Sequence, residues 1–170
     1  MKISAQEEYG LRCLLKLAQA ENQSLSLPEI AAAEGLSVAY VAKMMAVLRD
    51  AGLIDSSRGR SGGYRLAKPA DEIGLGSLLL VLGEPLFEEG DYCQKHSGTA
   101  PDGICVHHGD CSLRGLWATL ELWMRGTLNQ ITLADLMEHE GRIIELLRAR
   151  LATTVFDDVQ PLIPLGVLNK

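Results

Sequence analysis

The sequence predicts a mainly α-helical protein with one small β-hairpin and a long helix in its second half. Three observations predict this fold class. Apolar residues recur at helical spacing behind serine caps in the first 50 residues, two strand-like runs flank a turn rich in Gly and Arg near residue 60, and Leu, Trp and Met recur at helical spacing from 113 to 128. The 170 residues suffice for one ordinary domain, or for a small domain with an appendage.

The first helix is predicted to start at a capping box formed by Ser4 and Glu7, in which each residue bonds the other's backbone N–H. Its apolar stripe contains Leu11, Leu14, Leu15 and Ala18. Cys13 lies beside this stripe, where a small core residue is a better interpretation than a metal ligand.

Two further helices follow in close succession. Ser26 and Glu29 form a second capping box, Gly35 supplies the left-handed stop, and Ser37 caps the next helix. That third helix has an apolar stripe of Val38, Val41, Met45 and Leu48, which leaves Tyr40, Lys43, Met44 and Val47 facing away from the core. Two short helices joined by a glycine-containing turn have the proportions of a helix-turn-helix. The alternative is an ordinary α-hairpin within a bundle.

A basic β-hairpin is predicted directly after these helices. Residues 53–57 and 64–66 have strand character, and the turn between them carries Arg58 and Arg60 among three glycines. A helix-turn-helix followed by such a hairpin is a winged helix, in which the third helix enters the major groove and the hairpin, or wing, contacts the backbone or minor groove. The alternative is a solvated loop without a partner. The DNA-contacting candidates are Ser37, Tyr40 and Lys43 on the third helix and Arg58, Arg60 and Arg65 on the wing.

The charge distribution supports a basic face in this first part. The net charge is −6, but residues 37–68 carry six basic and two acidic side chains, whereas residues 69–170 carry seven basic and fifteen acidic ones. A local basic surface decides whether phosphate can be approached. The composition, 47% hydrophobic and 22% charged, excludes a disordered chain, and no apolar run approaches the roughly 20 residues of a membrane span. Without a secretory signal, the chain is predicted to be cytoplasmic.

The second half is predicted to contain a short helix near 78–82, a cysteine segment at 84–112, and a long helix from 113 to 128. A short element at 132–139, a helix at 142–151 and a tail at 152–170 without assigned role follow. The broad apolar face of the long helix either packs within the chain or forms a seam with a second chain. We favour the seam, because a domain of about 70 residues already has a core of its own.

Cys93, Cys105 and Cys111 form a Cys-x11-Cys-x5-Cys pattern in the cysteine segment, which is predicted to be a polar loop. Thiolates gathered in one segment bind soft or borderline metals. The spacing leaves three alternatives open, which are an iron–sulfur cluster, a structural zinc completed by His96, His107 or His108, and a metal-free thiol switch.

At this point the chain resembles the iron–sulfur winged-helix transcriptional regulators of the IscR and NsrR type, from Met1 to about His139. The resemblance rests on Tyr9-Gly10-Leu11-Arg12, the helix-turn-helix at 26–53, the wing Arg58-Gly59-Arg60-Ser61-Gly62-Gly63-Tyr64-Arg65-Leu66, the three cysteines, and Ile131-Thr132-Leu133-Ala134-Asp135-Leu136. It implies a homodimer joined through the long helices, with a [4Fe–4S] or [2Fe–2S] cluster held by the three cysteines.

The fourth ligand distinguishes the branches of this family. The IscR branch places a histidine three residues after the last cysteine, where this chain has Arg114. The NsrR-like branch uses an acidic residue of the other subunit's first helix, which corresponds to Glu8 and favours that branch. His107 and His108 are competing ligands, and the ordinary explanation of Glu8 is an acid of the first helical turn paired with Arg12. The gap between the first two cysteines is also longer than is usual in this family.

The resulting expectation is a non-enzymatic, dimeric transcription regulator, more usually a repressor, that binds a pseudo-palindromic operator. Its cluster would respond to nitric oxide, redox state or iron–sulfur status, with nitric oxide favoured by the resemblance. Residues 1–83 would bind DNA, 84–112 the cluster, and 113–151 the second subunit. The rivals are a winged-helix protein with structural zinc or a thiol switch, and an iron–sulfur electron-transfer protein, which the wing and the lack of a Gly-rich cofactor motif disfavour.

Overall fold

The structure is a computed structural model that describes residues 3–20, 23–57, 59, 62–99, 103 and 105–153. The helices are α1 (Ala5–Gln19), α2 (Leu27–Glu34), α3 (Val38–Asp50), α4 (Leu75–Leu82), α5 (Glu89–Lys95), α6 (Ser112–Leu128) and α7 (Glu140–Thr153), and the strands are β1 (Ile54–Ser57) and β2 (Gly63–Leu66). Short 3₁₀ turns occupy Ala70–Glu72 and Asp135–Met137. This architecture confirms the mainly helical fold class with one antiparallel hairpin.

Serine caps start the first three helices as the sequence predicts. The Ser4 hydroxyl accepts from the Glu7 N–H at 3.1 Å, and the Glu7 carboxylate accepts from the Ser4 N–H at 2.7 Å. Ser26 and Glu29 form the second capping box. Gly35 ends α2 with a φ of +66°, a left-handed conformation that glycine adopts without steric cost. Local chemistry therefore fixes where these helices begin and end.

The core lies where α1, α3 and α4 meet the base of the hairpin. Its largest fully buried side chains include Leu14, Leu17, Ile30, Met44, Met45, Leu48, Ile54, Leu78, Leu82 and Leu133. Cys13 is also fully buried, as expected of a core residue.

The predicted core face of α3 is wrong at three positions. Tyr40, which is predicted to face away from the core, is half-buried and packs against it. Met44 is fully buried, although it is predicted to face away, and Val38 is 45% exposed, although it is predicted to pack. The buried positions 41, 44, 45 and 48 follow the i, i+3, i+4, i+7 spacing of one helical face. Val38 lies in the first turn, at the exposed end of that face.

The wing is joined to the helices at its base. Strand β1 pairs antiparallel with β2, so that Ile54 faces Leu66 and Ser57 faces Gly63. Leu25, just before α2, adds a bridge in which the Leu25 and Tyr64 backbones exchange hydrogen bonds of 2.9 and 2.8 Å. A side chain at Gly63 would collide with the Leu25 backbone, so glycine permits this approach.

The cysteine segment is not the continuous loop that the sequence predicts, because it contains the two-turn helix α5. Tyr92 in α5 packs against Phe87 with ring centroids 5.3 Å apart and against His96 at 4.4 Å. The i, i+4 contact between Tyr92 and His96 stabilises a helical turn.

Within the described ranges, no single helix is both long enough and apolar enough to cross a membrane.

Candidate nucleic-acid interface and cysteine site

Helix α3 has the setting of a recognition helix. The axes of α2 and α3 differ by 112° across the turn, within the range of DNA-binding helix-turn-helix units. The Ser37 hydroxyl caps α3 by accepting from the Tyr40 N–H at 3.2 Å. Ser37 and Lys43 are exposed and Tyr40 is half-buried. The start of α3 thus exposes the Ser37 hydroxyl and the Lys43 ammonium group, while the Tyr40 ring is partly covered.

Helix α1 holds the turn and the start of α3 in place. The rings of Tyr9 and Tyr40 meet edge to face, with centroids 5.7 Å apart. Arg12 lies 5.5 Å from the Tyr9 ring centre and donates to the Glu34 carbonyl at 2.7 Å, at the last residue of α2. Because edge-to-face aromatic pairs and bonds to a helix-terminal carbonyl are directional, these contacts orient the recognition helix.

Arg12 is paired with Glu34, not with Glu8 as the i, i+4 spacing predicts. The Arg12 Nε atom lies 2.9 Å from the Glu34 Oε2 atom. This hydrogen bond is the main reason that the pKa of Arg12 is raised above its ordinary value, with smaller contributions from the charges of Glu34 and Glu8. The prediction was wrong because a residue 22 positions away, brought close by the turn between α1 and α2, supplies a better acceptor.

The wing presents one described arginine to solvent. Arg65 is exposed on β2 and lies 3.8 Å from Asp55 on β1, a cross-strand pair on one face of the hairpin. Arg58 and Arg60, the two arginines predicted at the wing tip, lie outside the described residues. The base of the wing packs against α1 and α3, and its described arginine is accessible.

The three cysteines of the cysteine segment lie on different elements. Cys93 is in α5, Cys105 starts a turn closed by a 2.8 Å bond from the His108 N–H, and Cys111 caps α6, with its Sγ atom 3.5 Å from the Arg114 nitrogen. All three thiols are free and half-buried. Three thiols form a donor set that suits iron–sulfur clusters and zinc. Among the described residues, however, no three His, Cys, Asp or Glu side chains converge closely enough to hold a metal ion.

The candidate fourth ligands are accessible. Glu8 is exposed in the first turn of α1, and His107 and His108 are exposed in the turn that follows Cys105. That first turn lies beside the start of the cysteine segment, since a methyl group on Gly83 would collide with the Glu7 carboxylate. Glu7, the residue before Glu8, therefore lies beside Gly83, which directly precedes the cysteine segment.

Helix α6 exposes apolar residues and turns a charged pair inward. Leu113 is 56% exposed, Leu116 48%, Trp117 37% and Trp123 42%. Elsewhere on this helix, Glu121 is buried, pairs with Arg125, and accepts from the Leu86 N–H at 2.8 Å. Exposed apolar surface of this extent marks an interaction site more often than a solvent-facing surface.

Sequence reasoning missed the residues that hold these elements together, namely Tyr9 and Glu34 around α3 and Glu121 and Asn129 on α6. Glu121 could have been found as an acid within an otherwise apolar helical stretch. The other three carry no local signal, because their partners are distant in sequence.

Comparison with known proteins gives one family. Residues 3–139 match the model of Rrf2, described as an iron-dependent transcriptional regulator. The protein rrf2 of Nitratidesulfovibrio vulgaris is 36% identical over 138 residues, which cover 81% of this chain and 87% of that protein. The HTH-type transcriptional regulator IscR of Serratia proteamaculans is 29% identical over 145 residues, covering 85% of this chain and 84% of that one.

Two solved structures share the fold. The IscR of T. potens superimposes with a TM-score of 0.60 at 30% identity, over 81% of this chain and 86% of its own. CymR, the global cysteine regulator of B. subtilis, superimposes with a TM-score of 0.61 at 30% identity, over 81% of this chain and 96% of its own. These neighbours are winged-helix regulators, which agrees with the helix-turn-helix and hairpin described above.

Proposed function

Because the chain belongs to the Rrf2 family of transcriptional regulators, we propose that it is a dimeric DNA-binding repressor whose operator affinity depends on an iron–sulfur cluster. It acts in the cytoplasm and carries out no catalysis. The observation that supports the DNA-binding part best is the capped, outward-facing start of α3 beside the base of a basic wing. The cluster part is supported by the three half-buried thiols and by the family's description as iron-dependent.

DNA is read by α3 and held by the wing. Ser37, Tyr40 and Lys43 face base edges and phosphates in the major groove, while Arg65, together with Arg58 and Arg60, contacts the backbone or minor groove. Each arginine that reaches a phosphate displaces a counterion, so its contribution depends on salt. Tyr9 and Arg12 do not touch DNA in this proposal but keep α3 at the angle that the groove requires.

The dimer forms through the exposed apolar face of α6, which contains Leu113, Leu116, Trp117 and Trp123. A two-fold dimer presents its recognition helices about 34 Å apart, one turn of the duplex, to a pseudo-palindromic operator. The interface of this dimer buries the tryptophans and leucines that are exposed to solvent in a single chain.

Cys93, Cys105 and Cys111 would hold the cluster, with Glu8 of the partner subunit as the fourth ligand and His107 or His108 as competitors. Cys93 in α5, Cys105 in the 105–110 turn and Cys111 at the start of α6 would be linked when a cluster is bound, and nitric oxide, oxidants or iron scarcity would remove those links. Drawing the three thiols together changes the path of the cysteine segment between α4 and α6. The two arrangements of that segment favour different dimer geometries, so the cluster can shift their populations. Assignment to the NsrR-like branch remains part of this proposal.

The second candidate is a winged-helix regulator with structural zinc or a metal-free thiol switch. The separation of the three cysteines on different elements, with no metal-binding trio among the described side chains, favours the thiol switch. Structural zinc would draw on the same three thiols as a cluster. Both candidates share the DNA-binding surface and differ in the chemistry of the cysteine segment.

Anaerobic purification of the full chain distinguishes these candidates. The proposal expects a coloured protein with thiolate-to-iron absorbance, stoichiometric iron and sulfide, and loss of all three signals in Cys105→Ala. Stoichiometric zinc in a colourless protein supports structural zinc, and a colourless metal-free protein supports the thiol switch. Unchanged spectrum and cluster stability in Glu8→Ala would eliminate Glu8 as the fourth ligand.

DNA binding is tested by titrating loaded and cluster-free protein against a random-sequence duplex pool and against the duplexes that it enriches. Arg60→Ala should weaken binding to all sequences and lower the salt slope by about 1. Lys95→Ala is the control, because Lys95 lies in α5, away from the recognition helix and the wing, and pairs with Glu88. Equal slopes for Arg60→Ala and wild type would remove Arg60 from the interface. Identical DNA affinity with and without the cluster would refute the regulatory proposal.

A further inference from the structure

The long helix α6 is fastened to α4 at both ends of α4. At the N-terminal end of α4, the Asn129 Oδ1 atom accepts from the Ser77 backbone N–H at 3.0 Å and from the Ser77 hydroxyl at 3.3 Å. Beyond the C-terminal end, the Glu121 carboxylate accepts from the Leu86 N–H at 2.8 Å. Glu121 and Asn129 are eight positions apart, about 12 Å along a helix, which matches the length of α4. The two helices are therefore antiparallel and attached at two points.

The attachment at Asn129 replaces a local helix cap. Ser77 lies in the first turn of α4, whose N–H groups have no partner within that helix. The N-cap residue of α4 is Gly74, which has no side chain to accept these bonds. A side-chain oxygen from the end of α6 satisfies one of them instead.

The helices also approach closely at this point. A Cβ atom on Gly76 would lie 2.8 Å from the Arg125 carbonyl oxygen and 2.7 Å from the Asn129 Oδ1 atom, closer than real Cβ atoms come. The chain after α6 continues the attachment, since the Leu75 N–H donates to the Ile131 carbonyl and the Leu133 N–H to the Ile73 carbonyl, both at 2.8 Å.

These contacts fix the direction of α6 relative to the recognition helix. A single hydrogen-bonded contact would let α6 rotate about it relative to α4, whereas contacts about 12 Å apart at Glu121 and Asn129 prevent that rotation. Helix α4 belongs to the same core as α1 and α3, through Leu78 and Leu82. The orientation of α6 on α4 is therefore also its orientation on α3.

Resting on the proposed dimer, we propose that Asn129 is a specificity-determining residue that sets the spacing of the half-sites the dimer accepts. In a dimer joined through α6, the junction of α4 and α6 sets the distance and rotation between the two recognition helices. Adding one base pair between half-sites moves them apart by about 3.4 Å and rotates one by about 35°. A dimer held by two attachments per subunit cannot follow that change, and a dimer with a loosened junction can.

The test uses the full-length chain, purified anaerobically, and a duplex enriched by the wild type from a random-sequence pool. Dissociation constants are measured at one salt concentration for that duplex, for versions with one base pair removed or with one or two added, and for an isolated half-site. The variant is Asn129→Ala. The matched control is Asn129→Asp, which keeps an acceptor oxygen in the same place and suits the positive end of a helix.

We expect one inserted base pair to weaken wild type and Asn129→Asp by about tenfold or more and Asn129→Ala by no more than about threefold. The affinity for an isolated half-site should be the same in all three proteins. A general loss of folding would lower that affinity, so equal values show that the variants are folded. Gly76→Ala, which wedges α4 from α6, should flatten the spacing profile or move its optimum.

A wild-type spacing profile in Asn129→Ala would overturn this inference, whatever Gly76→Ala does, and would leave the proposed function standing. Loss of the spacing preference in Asn129→Asp would also overturn it, since the acceptor oxygen would then not be what fixes the junction. Failure of the wild type to enrich any duplex with two half-sites would overturn the proposed function itself.

Discussion

Cys13 shows how one buried residue links the core to solution conditions. Burial raises the pKa of its thiol to about 11, and the nearby Glu34 carboxylate acts in the same direction. The folded chain therefore keeps this thiol protonated at pH values where an unfolded chain, with an ordinary pKa of 9.0, has released the proton. The stabilising contribution is complete below pH 9 and is lost as pH rises toward 11.

Titration of stability should reveal this residue. Between pH 8 and pH 11 the free energy of unfolding of wild type should fall by about 2 kcal/mol more than that of Cys13→Ala, because most of the stabilisation that comes from raising the pKa from 9.0 to about 11 is lost over this range, at about 1.4 kcal/mol per pKa unit. Denaturant unfolding at pH 8, 9.5 and 11 measures the difference. Comparison with the variant subtracts the contribution of other groups that titrate in this range. Parallel pH profiles would contradict the assigned pKa.

Two glycines in helices should respond to alanine in opposite directions. A methyl group at Gly10 in α1 would overlap the buried Leu82 side chain, so Gly10→Ala should destabilise the chain by about 1–3 kcal/mol. Gly126 in α6 is exposed, with nothing within 4 Å of an added Cβ, so Gly126→Ala should stabilise it by about 0.5–1 kcal/mol. Thermal unfolding of both variants checks the pair, and equal signs would show that close packing does not explain Gly10.

In helix α3, Ser37 has two roles, one in the stability of the helix and one in the proposed DNA contact. Ser37 stabilises α3 by capping it and stands where phosphate is proposed to bind. Substitutions can separate the roles, because aspartate caps a helix as well as serine does but repels phosphate.

Ser37→Ala should lower the free energy of unfolding by about 1 kcal/mol, while Ser37→Asp should leave it nearly unchanged. DNA affinity should fall in Ser37→Asp by about tenfold or more, because like charges meet at close range. Denaturant unfolding and fluorescence anisotropy with an enriched duplex measure the two effects. Full DNA affinity in Ser37→Asp would place this residue away from the phosphates.

The elements that the sequence predicts well are those governed by short-range chemistry. The capping serines, Gly35 and the hairpin strands each depend on residues within a few positions, and their boundaries agree closely with the structure. The contacts between Tyr9 and Tyr40 and between Asn129 and Ser77 join residues 31 and 52 positions apart, and no local pattern encodes them. For the proposed cysteine site, the residue types are visible in the sequence, but the described thiols lie on different elements, and no local pattern predicts that arrangement.

In the whole molecule, α6 differs from an ordinary surface helix, which buries its apolar side chains and exposes its charged ones. Its charged pair faces α4 and its leucines and tryptophans face outward. In a two-fold dimer both subunits carry the same face, so a single substitution changes the interface at two places and its effect on the free energy of dimerisation is doubled.

Leu116→Glu should therefore raise the dimer dissociation constant by about 100-fold or more, because each leucine contributes about 1.5–3 kcal/mol and a buried unpaired charge adds to the loss. Leu122→Glu is the matched control, since Leu122 is similarly exposed, at 42% against 48%, on another face of the same helix. Sedimentation velocity over a concentration series measures both. Equal dissociation of the two variants would place the seam elsewhere.

The double fastening of α6 to α4 has a consequence for how such regulators diversify. The segment between Leu86 and Ser112 connects α4 to α6, and the Leu86–Glu121 hydrogen bond holds its first residue against α6. Lengthening a flexible segment whose ends are held costs about 0.6 kcal/mol of closure entropy for each doubling of its length. The wide interval between Cys93 and Cys105 is one instance of that freedom. In the proposed function this segment carries the cluster, so a change confined to it would alter the response to the signal and leave α3 and the wing unchanged.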